Sequence, residues 1–213
     1  FRPLRAGFAL GLLALLLAGC SLFQPTSPEV GDSAETLLPN YSDPASCLKY
    51  MASGIERKDN VGLTAYIGAL ADTVADGIGF HAFFDEAVWK AYTGFKPNDW
   101  NLDYETQFYS AFISLSADKY GMKWLPDEYH PLDQRINDDT LLVYRQYKDW
   151  AVSSTDSLLI AVGYADLYFA RISASRWAVT RWHDRVDDVY GLNPANDWWR
   201  TFSYRRLNSS TGG

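Results

Sequence analysis

The chain has 213 residues, of which 47% are hydrophobic, 21% charged and 15% aromatic, a balance typical of a globular protein rather than a disordered one. Its two cysteines are too few for a disulfide-dense scaffold or a four-thiolate zinc site. A formal net charge of −7 argues against sequence-independent binding to nucleic-acid phosphates. The composition predicts one globular domain with additional segments and no nucleic-acid partner.

The N-terminal segment has the parts of a secretory signal. Two arginines, Arg2 and Arg5, precede an uncharged apolar run at residues 6–19. As a helix this run would be about 21 Å long, shorter than the ~30 Å hydrocarbon core of a bilayer. A buried core helix is the alternative, but nothing polar marks a second face. We therefore predict that residues 1–19 are a signal peptide.

The apolar run ends in Leu17-Ala18-Gly19-Cys20, which resembles the bacterial lipobox. The resemblance implies cleavage before Cys20 and thioether lipidation of its sulfur. Ser21 then favours the outer membrane, facing the periplasm, over retention in the inner membrane. Cleavage would remove both N-terminal arginines and lower the formal net charge from −7 to −9. The lipid, rather than a basic patch, would then hold the protein at the membrane.

Residues 20–40 have the composition of a lipidated tether. They are rich in proline and serine and show neither a helical nor a strand period. About 20 flexible residues have an r.m.s. reach of roughly 25 Å. Residues 41–207 are the predicted domain, and residues 208–213 a disordered tail. Cys47 would be left as a single thiol, which we predict to be buried in a helix as a small apolar residue.

Three helices are predicted in the first half of the domain. Ser42 or Asp43 can cap the first helix, and Pro44 suits its first turn. Apolar residues recur at helical spacing in all three. They are Cys47, Leu48, Met51 and Ile55; then Leu63, Tyr66, Ile67 and Leu70; then Leu102, Phe108, Tyr109 and Phe112. Between the second and third helices, residues 80–84 predict a short strand and residues 85–92 a short helix.

The second half of the domain has the period of β-strands. Four strands are predicted, at residues 120–124, 141–152, 158–172 and 176–186. Polar loops at residues 153–156 and 173–175 separate the last three strands as hairpins. Helices that precede a run of antiparallel strands indicate the α+β class.

This order of elements resembles the nuclear transport factor 2-like fold, in which N-terminal helices pack in a strongly curved antiparallel sheet to form a cone. The resemblance covers about residues 41–207. It is sharpest at residues 176–184, RWAVTRWHD, which resemble a late strand of that fold with the pattern Trp, aliphatic, Trp, acid. Residues 198–207 are similar to the closing segment of secreted members.

Four residues are candidates for a site. Asp166 interrupts an apolar face of the long predicted strand, and a desolvated carboxylate there would have a raised pKa suited to a general base. In enzymes that resemble this fold, such as ketosteroid isomerases and polyketide cyclases, a carboxylate or histidine lies inside the cone. Asp166 and His183 are therefore the catalytic candidates. Tyr144 and Tyr164, with Asp166, would line a ligand cavity.

Structural roles are the alternative for each of these residues. Asp166 could lie near a strand end or bind a tyrosine hydroxyl, and His183 could be exposed or structural. Tyr144 and Tyr164 could fill the core, with their oxygens at its rim. Motifs for phosphate binding, a serine nucleophile elbow or a zinc-protease helix do not occur in the sequence. We predict no cofactor and no metal.

Two classes of function remain. Both faces of the long predicted strand are apolar, so the convex face would be covered by a second subunit or an envelope protein. This favours a membrane-anchored, non-catalytic module that binds a protein partner or a small apolar ligand. The alternative is a small isomerase, dehydratase or cyclase with its acid/base residue in the cavity, which rests on fold analogy alone.

Overall fold

The computed structural model describes most of the predicted domain. Its described residues are 39–72, 79–114, 117–130, 132–153, 156–186 and 201–209. The predicted signal peptide, the lipobox with Cys20 and nearly all of the predicted tether lie outside them. The predicted tail begins inside the last described helix, which extends to Ser209.

The described residues form helices first and then mainly strands. The helices are α1 (Pro44–Arg57), α2 (Asn60–Gly68), α3 (Glu86–Ala91), α4 (Leu102–Ile113) and α5 (Phe202–Ser209). The strands are β1 (His81–Phe83), β2 (Trp100–Asn101), β3 (Lys119–Pro126), β4 (Gln134–Asn137), β5 (Thr140–Ser153), β6 (Asp156–Ser173) and β7 (Arg176–Arg185). The four predicted helices and five predicted strands are all present; β2, β4 and the last helix, α5, were not predicted.

Local capping determines where the first helices begin. Asp43 caps α1 by accepting a hydrogen bond from the backbone N–H of Ser46 at 2.7 Å. Asp59 caps α2 in the same way, through the N–H of Gly62 at 2.7 Å. Cys47 is fully buried in α1, as predicted, and burial raises the pKa of its thiol to about 12.

Helices α1 and α2 approach each other at two glycines. A Cβ atom at Gly54 would lie 2.6 Å from the carbonyl oxygen of Gly62, and one at Gly62 would lie 2.5 Å from that of Gly54. The hydroxyl of Tyr109, in α4, donates to the Gly54 carbonyl oxygen. The glycines therefore allow three helices to form one layer.

The described strands form a single sheet in the order β2-β1-β7-β6-β5-β3, with β4 also pairing with β5. β1 and β7 run parallel, and the other neighbours are antiparallel. Register shifts occur between Asp149 and Trp150 in β5 and between Tyr168 and Phe169 in β6. Such bulges bend a strand and increase its twist, which is how the sheet curves around the helices.

The two faces of the sheet have different surroundings. The inner face packs against α1, α2, α4 and α5, and its large buried side chains include Tyr147, Leu167 and Trp182. The outer face carries the residues of opposite parity, among them Asp166 and His183. This is the predicted α+β arrangement, with helices packed in a curved sheet.

Candidate functional site

The four predicted site residues lie together on the outer face. Tyr144 pairs with Asp166 across β5 and β6, and Asp166 pairs with His183 across β6 and β7. Tyr164 is two residues from Asp166 and therefore on the same face of β6. The sequence identified residues that converge, but the structure places them on the side of the sheet away from the helices. An interior site at Asp166 and His183 does not form.

Arg185 joins two carboxylates on this face. Its Nε donates to Asp166 Oδ1 at 3.0 Å, and its Nη2 donates to Asp127 Oδ2 at 2.9 Å. Burial acts to raise the pKa of Asp127, but hydrogen bonds from the backbone amides of Tyr129 and His130 and from Arg185 outweigh it and lower that pKa. The partner of Asp166 is thus an arginine, not a tyrosine hydroxyl.

The segment that follows β3 covers the two predicted tyrosines. The His130 ring stacks on Tyr144 with 4.7 Å between centroids, and Tyr129 meets Tyr164 edge-on at 6.1 Å. Gln146 Nε2 donates to the Tyr164 hydroxyl at 3.2 Å, and Tyr164 is only 1% exposed. Both tyrosines are therefore packed against other side chains of the protein.

His183 remains partly accessible beside this cluster. Its ring lies 4.4 Å from that of Phe83, measured between centroids, and 5.5 Å from that of Tyr168. Burial lowers its pKa, Arg181 lowers it further, and Asp166 opposes both effects. His183 is accordingly a mainly neutral ring at pH 7, suited to contact rather than to charge pairing.

The inner face contains a buried ion pair that sequence reasoning did not find. Arg206, in α5, donates from Nε and Nη2 to the two carboxylate oxygens of Glu105, in α4, at 2.8 Å each. Glu105 also accepts from Trp100 Nε1 at 2.7 Å and from the Tyr66 hydroxyl at 2.6 Å. The Arg206 guanidinium lies 4.2 Å from the ring centroid of Trp182. Both charged side chains are fully buried.

A second polar group attaches α5 to the sheet. Asp184 of β7 accepts from the Tyr147 hydroxyl and from both the N–H and the hydroxyl of Ser203, each at 2.6 Å. The Phe202 N–H donates in turn to the Tyr147 hydroxyl oxygen at 3.1 Å. Burial raises the pKa of Asp184 despite these hydrogen bonds. Helix α5 is thus fixed at two places along the inner face.

Asp149 is a carboxylate of the inner face to which no side chain in the described part of the chain donates a hydrogen bond. It is 1% exposed, and the backbone amide of Trp150 and the charge of Arg205 act to lower the pKa of its carboxyl. Burial raises its pKa well above the ordinary value. It lines a cavity of about 140 Å³ between α4 and α5. The sequence could have indicated this position, because Asp149 is two residues from Tyr147 in β5 and therefore lies on the same, inner face.

Metal binding has no visible basis in the described residues, because they contain no group of three or more His, Cys, Asp or Glu side chains placed to hold an ion. The same residues contain no helix that is both long and apolar enough to cross a bilayer.

Comparison with known proteins identifies the fold. Neither a family model nor a curated protein matches the sequence. A solved structure of a protein of unknown function from Mycobacterium tuberculosis is similar, with a TM-score of 0.52 and 9% identity over 78% of this chain and 86% of that one. This similarity and the observed topology confirm the predicted α+β fold.

Two further similar structures are NTF2-like proteins. One, of unknown function, is from Shewanella oneidensis MR-1; its TM-score is 0.45, with 14% identity over 66% of this chain and 93% of that one. The other, with a cystatin-like fold, is from Novosphingobium aromaticivorans; its TM-score is 0.47, with 13% identity over 70% of this chain and 81% of that one. At such identities a likeness concerns the fold and not the activity.

Proposed function

We propose that this protein is a lipid-anchored, non-catalytic binding module of the bacterial cell envelope. The observation that carries the proposal is the closure of the inner face around Glu105 by the chain's own α5, through Arg206 and Phe202. A substrate entering there would have to separate Arg206 from Glu105, and breaking a buried ion pair costs about 3–5 kcal/mol. Asp166 and His183, the residues of the enzymatic alternative, lie on the opposite face.

The surface we assign to a protein partner is the outer face around His183. Phe83 is 45% exposed there and packs against the His183 ring, with the two ring planes 32° apart. Beside them, Arg185 holds the Asp166 carboxylate in a fixed position. An exposed aromatic ring next to preorganised polar groups is the composition of a binding surface. A second copy of the chain or another envelope protein would bind at this face.

The anchor in this proposal is a lipid on Cys20. It is supported by the apolar run and lipobox of the sequence and by the tether composition of residues 20–40. A tether with a reach of roughly 25 Å would keep the domain close to the bilayer. The proposed location is the periplasmic face of the outer membrane.

Fractionation of cells that express the full chain tests the anchor. We expect Cys20→Ser to move the protein from the membrane pool to the soluble pool, because Cys20 is the cysteine of the lipobox and carries the proposed lipid. Cys47→Ala is the matched control and should stay with the membrane, since Cys47 is fully buried in α1. A Cys20→Ser protein that remains in the membrane pool would refute the anchor.

Native mass spectrometry of gently extracted protein tests the binding role. The wild-type chain should carry a stoichiometric second copy or envelope protein. Phe83→Arg should reduce that complex roughly tenfold, because it places an unpaired charge in the interface. Val61→Arg is the control, since Val61 is 55% exposed but lies in α2, on the helical side. A bare wild-type monomer, or equal effects of the two variants, would contradict the proposal.

A further inference from the structure

The feature that neither the fold nor the proposed interface uses is the Asp149 cavity. Asp149 lies at the bulge of β5, with its side chain on the inner face. Its two carboxylate oxygens are buried, and no side chain of the described residues donates a hydrogen bond to them, although the backbone amide of Trp150 acts to lower the pKa of this carboxyl. A buried carboxylate without a donor loses its hydration and gains nothing in return, which makes it costly to keep. Such an orphaned group beside a cavity indicates a missing partner.

The cavity has a mixed lining. Phe108 and Phe112 of α4 and Phe202 of α5 line it together with Asp149, and Asn208 lies on the α5 side. Its volume of about 140 Å³ is similar to that of apolar cavities that accept a benzene ring, on the order of 150 Å³. It therefore has room for one small ring or a short branched chain.

The nearest basic group does not satisfy Asp149. Arg205 lines the same cavity and lowers the pKa of Asp149 through space, but no hydrogen bond joins the two side chains. Arg206, its neighbour in the chain, pairs with Glu105 instead.

We propose that this cavity binds a small organic ammonium ion, with its nitrogen at Asp149 and its apolar part between the phenylalanine rings. A cation supplies the charge and the N–H donors that the two orphaned oxygens lack. Aromatic faces add a favourable cation–π contribution. A neutral apolar guest would fill the same volume but leave both oxygens unsatisfied. The inference goes beyond the proposed function, because this site lies on the inner face and not at the partner surface around His183.

Binding of an ammonium ion at this site is coupled to loss of the carboxyl proton of Asp149. In the free protein burial keeps a proton on Asp149 at pH values where an exposed aspartic acid is ionised. The bound ammonium ion keeps its own protons and favours the carboxylate, so the carboxyl proton passes to solvent. At pH values where Asp149 is protonated in the free protein, binding therefore releases protons, and over that range affinity rises with pH as long as the free amine keeps its charge.

Isothermal titration of the full chain in non-ionic detergent tests the site with benzylamine and its neutral analogue benzyl alcohol. We expect benzylamine to bind roughly tenfold more tightly, as suits one charge-assisted pair, and its heat to depend on the ionisation enthalpy of the buffer. Asp149→Asn should remove that advantage and the buffer dependence, and leave benzyl alcohol unaffected. Asp138→Asn is the control, because Asp138 is 92% exposed.

A second variant covers the case in which Asp149→Asn does not fold. Ala111 is exposed at the edge of the cavity, so Ala111→Phe should close the entrance and abolish binding of both probes without changing the core. Equal affinity for the two probes, no binding of either, or unchanged benzylamine binding by Asp149→Asn would overturn the ammonium site. None of these results would alter the Phe83→Arg test, so this inference and the partner surface fail separately.

Discussion

Two carboxylates on the inner face, Glu105 and Asp149, differ in what helix α5 offers them. Glu105 receives two charge-assisted hydrogen bonds from Arg206, and this part of the inner face is closed. Asp149 receives none from Arg205, and beside it a cavity remains. Helix α5 therefore closes the inner face around Glu105 but leaves a cavity beside Asp149. In this protein the proposed ligand site lies at the carboxylate to which α5 donates no hydrogen bond.

The largest expected effect on stability comes from breaking the buried ion pair between Arg206 and Glu105. Arg206→Met should destabilise the protein by about 3–5 kcal/mol, because it leaves the Glu105 carboxylate buried without its counter-ion. Urea unfolding followed by fluorescence measures this. Arg135→Met is the control, because Arg135 is 68% exposed and should change stability by no more than about 0.5 kcal/mol. Equal losses in the two variants would show that the buried pair does not hold α5.

Removing the orphaned carboxylate should have an effect of opposite sign. Asp149→Leu should stabilise the protein at neutral pH by about 1–3 kcal/mol, since it replaces an unsatisfied buried acid with an apolar group beside a cavity. Asp138→Leu, at an exposed position, should not.

The pH dependence of this difference has a definite sign. The folded-state pKa of Asp149 is raised, so its contribution to stability is complete below the unfolded value of about 4 and is lost as the pH rises through the folded pKa. The advantage of Asp149→Leu should therefore grow with pH in urea unfolding series. An advantage that is constant or shrinks would mean that Asp149 is not an orphaned acid.

The smallest effect is expected on the outer face, where Asp127 is buried but Arg185 and Asp166 are partly exposed. Arg185→Gln should cost about 1–2 kcal/mol through the lost bridge between Asp127 and Asp166. The pKa of Asp127 is lowered, so its contribution is present above the unfolded value and disappears as the pH falls through the folded pKa. Unfolding curves should show the loss at pH 7 and a smaller one in acid. Arg135→Gln should be nearly neutral, because its partner Asp138 is exposed.

Local patterns were enough to predict the frame of the fold. The cap at Asp43, the apolar spacing of α1 and the alternation of β6 each act within a few residues, and each predicted element is present. The strand β4 could not be predicted, since its four residues are all exposed and show no alternation. β2 has only two residues and exists through its pairing with β1.

The site was harder to predict because its partners are far apart in the sequence. The alternation of residues along β6 places Asp166 and Tyr164 on one face, and the pairing of neighbouring strands places Tyr144 and His183 beside them. Alternation alone, however, does not indicate which face of the sheet the helices cover. Glu105 and Arg206 are 101 residues apart. Only the packing of α5 shows that one is paired and that Asp149 is not.

The most direct test of the contrast between Glu105 and Asp149 is a carboxyl-carbon NMR titration of Asp149 in the full chain, assigned by comparison with Asp149→Asn. We expect Asp149 to titrate well above its ordinary range, and added benzylamine to lower its pKa because a bound cation favours the carboxylate. Titration within the ordinary range, unchanged by benzylamine, would contradict the account.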